Sequence, residues 1–591
     1  ARGQLVLFGG GTGRAAFVSH QWLSTDHPDP DFKQMRILQE ALRRLLFSSG
    51  HVPLDAVTEG LVPSAKALPT SEFQTEPLFI WYDYFSCPQL EHRKFYATDQ
   101  RDGSNQANAI NSIPGYIAQC KFFLALCPTL DCPPEAKVLS AVSWSRRGWC
   151  RIERAARELS RESSWILIQS DSAIEVVGTA VSFVPGCVGE AEFTVAEDKA
   201  RLAPVMRKIV MQKLKHCLRT GDLPTFRRHF NLQSVHLRGL ETTRPICLLP
   251  SQDTQGPDGQ AVTEFLHQNG FRSVGEVDSA GWRPLHYAAL AGSVEVLEAL
   301  LELRADVRRR TSKDEPALGL PPWMSALDLA VCYKHHETTR LLLAARAHLE
   351  GGTAPAMHYA AISNNAEGVR LLCAAGGRPL AQNLLGFTAL QAAATYAAME
   401  AVEMLVQDVQ GCPALELSRA LWGAAAFRGG SAELVRRLLN LRADVNFQFS
   451  VPRDLRPLGR IFCATKSLQH RLGWATLQTQ FFYHQNGSTP LMQSIQTAQW
   501  EAAAALIAAG ARIDLRNTRN RAAADFARGQ SIPYYLQMGL DGDAAQCSRV
   551  SSLALADGYV EVYMQLGAVC EVFLSLRMKS CVLYQTFELD A

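Results

Sequence analysis

The sequence predicts two architectures in one chain: an α/β domain on a parallel sheet in the first third, and an all-α solenoid of stacked helix pairs behind it. Three observations predict this. Residues 278–307, DSAGWRPLHYAALAGSVEVLEALLELRADV, read as one helix-turn-helix unit whose apolar face a lone unit cannot bury. The unit recurs down the rest of the chain. Before it, residues 15–205 alternate short apolar runs with helical stretches, the pattern of strands joined by crossover helices.

The recurrence is phased. With Glu295 as a ruler, equivalent glutamates stand at Glu337, Glu367, Glu400, Glu433 and Glu501, at steps of 42, 30, 33, 33 and 68 residues. Five residues after each comes a leucine: Leu300, Leu342, Leu372, Leu405, Leu438 and Leu506. Seven before stands a small residue, Ala288, Ala330, Ala360, Ala393, Ala426 or Ser494, and ten before a large apolar one in all but the repeat that carries Gly423. Small residues let paired helices approach closely, and the leucines fill the layer between neighbouring units. The period near 33 and the run Arg283-Pro284-Leu285-His286-Tyr287-Ala288, echoed by Thr489-Pro490-Leu491, resemble the ankyrin repeat. The resemblance implies a protein-binding stack over 278–530. Insertions fall at 309–322, charged and proline-rich, and at 449–485, long enough for an atypical helix pair in one repeat slot.

The N-terminal runs AAFVSHQW, PLFIWYDYF, FFLALCP and SWILIQS predict four strands; DFKQMRILQEALRRLLF, SIPGYIAQC and GWCRIERAARELSRE predict the helices between them. Residues 48–76 read as a long loop. In a parallel sheet the functional crevice lies at the carboxyl ends of the strands, which here supply Ser19, His20, Gln21 and Trp22, then Asp83, Cys87 and Gln89, then Trp144 to Cys150. His20, Asp83 and Ser19 can be drawn as a Ser-His-Asp set, or as strand-end polar residues bonded to their loops.

FVSHQW, WYDYFSCPQ, SIPGYIAQCKFFLALCP and above all Trp149-Cys150-x-x-Glu153 resemble a TIR-like domain (Toll/interleukin-1 receptor fold). The resemblance implies that Glu153 is the catalytic carboxylate of an NAD-cleaving site, with Ser19, Asp83 and Trp149 beside the nucleotide; NAD would be a substrate, and no cofactor is expected. A carboxylate can hold the ribose hydroxyls and stabilise the ribosyl cation left as nicotinamide departs. The alternative is that Glu153 belongs to a solvated helix face with Arg151, Arg154, Arg157 and Glu158, and that Trp149, like Trp22 and Trp81, packs in the core. The loop after the second strand departs from the family's usual sequence. Such a domain joined to such repeats is similar to a set of protist ankyrin proteins, which implies an intracellular, cytoplasmic or nuclear, scaffold or signalling adaptor for a protein partner.

Other classes find little support. A formal net charge of +2 carries no polyanion signal. Fifteen scattered cysteines fit a reducing compartment, and Cys120, Cys127, Cys132 and Cys150 lack the paired spacing of a zinc site, so no metal is expected. The apolar stretch 173–189 is broken by Glu175 and Pro185, short of a membrane span. Gly11-x-Gly13-x-x-Ala16 approximates a dinucleotide fingerprint, but a strand-like run follows it, and 1–14 reads as a flexible leader; Ala1 in place of Met leaves room for an upstream segment. Residues 206–277 read as a helical junction with a degenerate capping repeat, in which Met206, Ile209, Val210, Leu214 and Leu218 could close one end of the stack. Residues 531–591 read as an ill-defined C-terminal cap. Aromatics at the hairpin tips, Trp282, Trp323 and Phe387, are candidate partner anchors, with cover for a neighbouring turn as the alternative.

Overall fold

The computed structural model describes residues 12–24, 27–62, 64–87, 105–132, 137–178, 186–240, 257–312, 320–408 and 412–566. The N-terminal domain is a five-stranded sheet: β1 (Arg14–Ser19), β2 (Leu78–Tyr82), β3 (Phe122–Leu126), β4 (Trp165–Ile168) and β5 (Ile174–Val177), in spatial order β2-β1-β3-β4-β5. The first four are parallel, as their apolar runs predict. β5 was not anticipated, its residues having been considered only as a membrane span. It is antiparallel because residues 169–173 form a tight turn, Gln169 N donating to Ala173 O at 3.0 Å, with no length for a crossover.

Side chains alternate between the faces of this sheet. Phe17, Phe123, Trp165 and Leu167 pack beneath α2 (Asn105–Gln119), α3 (Gly148–Glu158) and α4 (Ala196–Thr220); Val18, Phe122, Leu124 and Ile166 pack against α1 (Lys33–Phe47). Residues 48–76 are more than a loop. They hold the short ribbon of residues 51–52 and 68–69, the helix Ala56–Leu61 and a buried Phe73 stacked on Phe122 at 4.0 Å. Gly13 abuts the Pro77 carbonyl, where a Cβ would collide, and strand β1 follows it. Its glycine serves that close approach; Gly11 and most of the expected leader lie outside the described residues.

The helix expected to close the stack belongs instead to the N-terminal core. Met206, Ile209, Val210 and Leu214 on α4 pack with Phe17, Trp144 and Trp165, while Leu218 is exposed. The cap is supplied by the next helices: Leu223–Asn231 stacks on Pro284–Ala291, and Pro257–Asn269 on Val294–Glu302, one degenerate repeat against the first regular one.

All six ruler glutamates lie in the first turn of a second helix, and the six leucines that follow them are at most 1% exposed. The small residues seven before are all buried. Gly423 is the exception because its helix, Ala414–Ala426, is 13 residues long; it buries Leu417, Ala420, Leu421 and Ala424, and Gly423 faces the Gln391 carbonyl and Thr395. First helices start on side-chain caps, Ser325 with Asp328, Thr388 with Gln391 and Thr489 on the Met492 amide. Second helices stop at a left-handed residue nine after the ruler: Arg304, Arg346, Gly376, Arg442 and Gly510.

The 449–485 insertion does form helices, Pro457–Arg471 and Leu477–His484, but it occupies no repeat slot. Ala414–Ala426 stacks directly on Pro490–Gln496, and the insertion folds outside over Trp422, Phe449 and Phe481. Tyr534–Leu540 and a long helix, Ala545–Leu566, close the far end against Trp500–Ala508; residues 567–591 lie outside the described residues.

The sheet domain packs on the turns that join the two helices of successive repeats. Gln169 Nε2 donates to Ala498 O at 2.9 Å, Ser140 Oγ to Glu501 Oε2 at 2.9 Å, and Arg238 reaches the Tyr333 carbonyl. At the centre Arg428, on the turn 427–431, pairs with Glu175 of β5 next to Asp55. Burial pushes the Asp55 carboxyl up to about 6, helped by Glu175 and opposed by Arg428; burial likewise opposes the Arg428 charge, but Glu175 and Asp55 outweigh it and hold its pKa raised.

Two outcomes test this architecture. Leu438→Ala should lower the free energy of unfolding by about 2–5 kcal/mol, through lost burial and a cavity, whereas the ruler substitution Glu295→Ala should stay within about 0.5 kcal/mol, both read by chemical denaturation. Arg428→Met should cost about 3–5 kcal/mol, because Glu175 is left buried without its counter-ion, and limited proteolysis should then cut between the sheet domain and the repeats.

Candidate functional site

The strand order reverses direction between β1 and β3, so a crevice opens at their carboxyl ends. Ser19 ends β1 and is buried; its Oγ donates to Glu153 Oε2 at 2.6 Å and accepts from the Trp144 indole at 3.0 Å. Glu153 is held there by α3, whose N-terminal Gly148 is so close to Phe193 that any Cβ would clash. Burial pushes the Glu153 carboxyl up to about 8, and the nearby Asp83 charge adds to this, against the Ser19 hydrogen bond and Arg147. The residue is thus no member of a solvated charged face. Arg157 is also buried, its guanidinium donating to the Ser164, Cys120 and Lys121 carbonyls.

Asp83 follows β2 and collects donors. His20 Nε2 lies 2.8 Å from Oδ1, the Tyr84 amide donates to Oδ1 at 2.6 Å and the Trp22 indole to Oδ2 at 2.9 Å. Burial pushes this carboxyl up, but the bond and charge of His20, with Trp22 and the Tyr84 amide, outweigh it and hold Asp83 below the usual carboxylate range. Two carboxyls of opposite tendency therefore share the crevice, Asp83 ionised and Glu153 poised near neutrality. Cys87 lies in the fields of both; burial and the two carboxylates push its thiol up to about 11, which makes it a poor nucleophile at neutral pH.

The Ser-His-Asp set is not assembled. Ser19 and His20 are neighbours on extended chain and point to opposite faces, so Ser19 meets Glu153 while His20 stacks on Tyr82, ring centroids 4.2 Å apart. Trp149 is not brought to the crevice either: its indole donates to Asp198 Oδ2 at 2.9 Å, at the start of α4. Trp144, which orients Ser19, was expected only as part of a loop. A cavity of about 230 Å³ opens along another side of α3, between Arg151, Arg154, Glu158 and the repeat turns at Tyr333 and Tyr396; Ser19, Asp83 and Glu153 do not line it. Gln89, expected at the carboxyl end of the second strand, lies outside the described residues.

The three hairpin aromatics fare differently. Trp282 is 1% exposed, covered by the capping repeat with the Arg228 guanidinium 4.8 Å from its ring, so it is no anchor for a partner. Phe387 is partly buried against the insertion, in the cluster of Trp422 and Phe481, and helps hold that insertion in place. Trp323 is 50% exposed and left-handed, φ 62°. Fourteen residues before three of the five other rulers a positive φ belongs to glycine: Gly281, Gly386 and Gly487. A bulky residue there costs about 1–2 kcal/mol. The conformation is enforced by Arg310, which donates to the Trp323 carbonyl at 2.9 Å and pairs with buried Asp328 at 2.9 Å.

Among the described residues no group of three or more potential metal ligands forms, and Cys120, Cys127 and Cys150 are free buried thiols; the Cys132 side chain lies outside them. His335 and His336 bond to the Leu290 carbonyl and to Asn365. No helix among the described residues is long and apolar enough to cross a membrane.

Residues 357–449 match a family model of ankyrin repeats in three copies, and residues 260–318 one of ankyrin repeats in many copies. The C-terminal half therefore carries ankyrin repeats, and repeats of this kind bind proteins. Among solved structures, the crystal structure of the human ASB11 ankyrin repeat domain aligns over 44% of this chain and 96% of its own, at 20% identity and a TM-score of 0.30. No curated protein matches the chain.

A pH titration tests the crevice. A carboxyl raised to about 8 from 4.5 favours the protonated folded state, so its stabilisation is complete below about 4.5 and is lost as pH rises through about 8. Glu153→Gln should abolish that decline: relative to wild type it should gain on the order of 1–3 kcal/mol between the two ends of this window, read from thermal midpoints.

Proposed function

We propose that the protein is a protein-interaction scaffold whose repeats hold its own sheet domain on their helix-helix turns and present the hairpin tip at Trp323 to a partner. The observation that carries this reading is the aromatic held half-exposed and left-handed where three other tips use glycine, an unfavourable conformation for a bulky residue. An exposed aromatic on a braced turn is a suitable anchor, since little side-chain freedom is lost when it is covered. A place in intracellular signalling, as an adaptor in the cytoplasm or nucleus, rests on the family resemblance.

Trp323→Gly separates the two roles of the residue. Relief of the left-handed strain should raise stability by up to about 1 kcal/mol in thermal denaturation, while partners retained by the immobilised full chain are lost. An unchanged set of retained partners would sink the anchor.

A second reading is favoured by the crevice: a TIR-like domain that cleaves NAD, with Glu153 as the carboxylate, Ser19 orienting it and Asp83 nearby. In that reading Glu153 accepts the ribose hydroxyls and stabilises the positive charge on the ribosyl carbon as the bond to nicotinamide breaks, with water as the acceptor. The neutral form cannot stabilise a cation, so the reaction should accelerate as pH rises through about 8. Nicotinamide release from NAD, measured at pH values on both sides of that point, should follow this rise and vanish in Glu153→Gln. Absence of release at high protein concentration would leave the scaffold alone.

A further inference from the structure

The insertion buries one side of its long helix and leaves the other bare. On Pro457–Arg471 Gly459 and Cys463 are buried, while Leu458, Ile461 and Leu468, with Leu472 and Trp474 just beyond the helix, are 50–68% exposed. The spacings of three, seven and four from Leu458 to Leu472 place them along a single stripe, a convex apolar ridge. Alongside Leu468 runs a groove of about 360 Å³ lined by Arg460, Arg471 and Arg519 and by no carboxylate. From Leu455 to Gln485 the chain has four Lys or Arg and no Asp or Glu. Arg519 is braced by stacking over Tyr483 at 4.3 Å, and Lys466 is turned back to Glu59 of the sheet domain, so the free positive field lies on the groove side.

We propose that this face seats on an anionic phospholipid surface. The ridge enters the boundary between headgroups and acyl chains, Trp474 lies at that boundary, and the arginine groove receives a headgroup phosphate. A convex ridge needs a deformable apolar medium more than a preformed pocket, and a groove of cations needs anions; an acidic lipid surface supplies both. A second copy of the chain would set arginines against arginines. The helix has 15 residues, roughly 22 Å, and lies in the plane of the surface without crossing it.

Sedimentation of the full chain with vesicles tests this. With one-fifth phosphatidylserine in phosphatidylcholine the protein should pellet, with pure phosphatidylcholine it should stay in solution, and raising salt from about 0.1 M to about 0.5 M should weaken the binding. Ile461→Asp with Leu472→Asp should lower the affinity roughly tenfold or more, as should Arg471→Glu with Arg519→Glu. Trp474→Ala, at an open position, should lower it without altering the far-ultraviolet circular dichroism. Failure to pellet with the acidic vesicles, equal pelleting with neutral ones, or binding indifferent to all three variants would overturn the proposal. So would saturable binding of a synthetic acidic amphipathic peptide, lost in the same variants, while the vesicles leave the protein in solution; that would assign the face to a protein partner.

Discussion

A pair of short helices, seven to ten residues per arm in all but the Ala414–Ala426 arm, cannot shield its own leucines, and the rest of the molecule answers that constraint. Leu300, Leu342, Leu372, Leu405, Leu438 and Leu506 reach near-complete burial only because the next pair closes over them. The closure needs the paired helices to approach to alanine distance, which Ala288, Ala330, Ala360, Ala393 and Ser494 permit. It also needs two ends that differ from the middle. At one end the helices 223–231 and 257–269 cover Trp282; at the other the helix from Ala545 covers Leu506.

The sheet domain is docked on this stack instead of trailing from it. The turns between paired helices, polar and solvated in a bare solenoid, here meet β5, the loop after β4 and the start of the helix from Ala141. Arg428 can be buried there because Glu175 and Asp55 meet it. One ruler residue serves both bodies: Glu501 takes the Ala432 amide within the stack and the Ser140 hydroxyl of the sheet domain, and Ser140 in turn takes Gln21 from the crevice loop.

The repeats were legible because their signal is periodic and local: a glutamate, a leucine and an alanine at set offsets determine a helix face whatever its neighbours. The left-handed residue nine after five of the glutamates was equally present, as Arg or Gly, but residue type alone does not mark it. The strands were legible as apolar runs, and β5 was overlooked because Glu175 interrupts its run; that glutamate is there for Arg428, 253 positions away. The crevice was half legible. Ser19 bonds Glu153, with the Asp83 charge nearby, whereas Trp149 faces Asp198 and His20 turns away from Ser19, choices made by which side of a strand or helix each residue occupies.

By itself the sequence determined the kinds of element and their phase: which residues form paired helices, which form parallel strands, and which carboxyls stand at strand ends. Tertiary structure decided what those elements touch. It buried Trp282 and left Trp323 half exposed, gave α4 to the sheet core, set the 449–485 helices outside the stack and raised Glu153 towards neutrality. The physical reason is range. Periodicity and capping act within a few residues of chain, but burial, and the charge state and availability that follow from it, depend on neighbours hundreds of residues away.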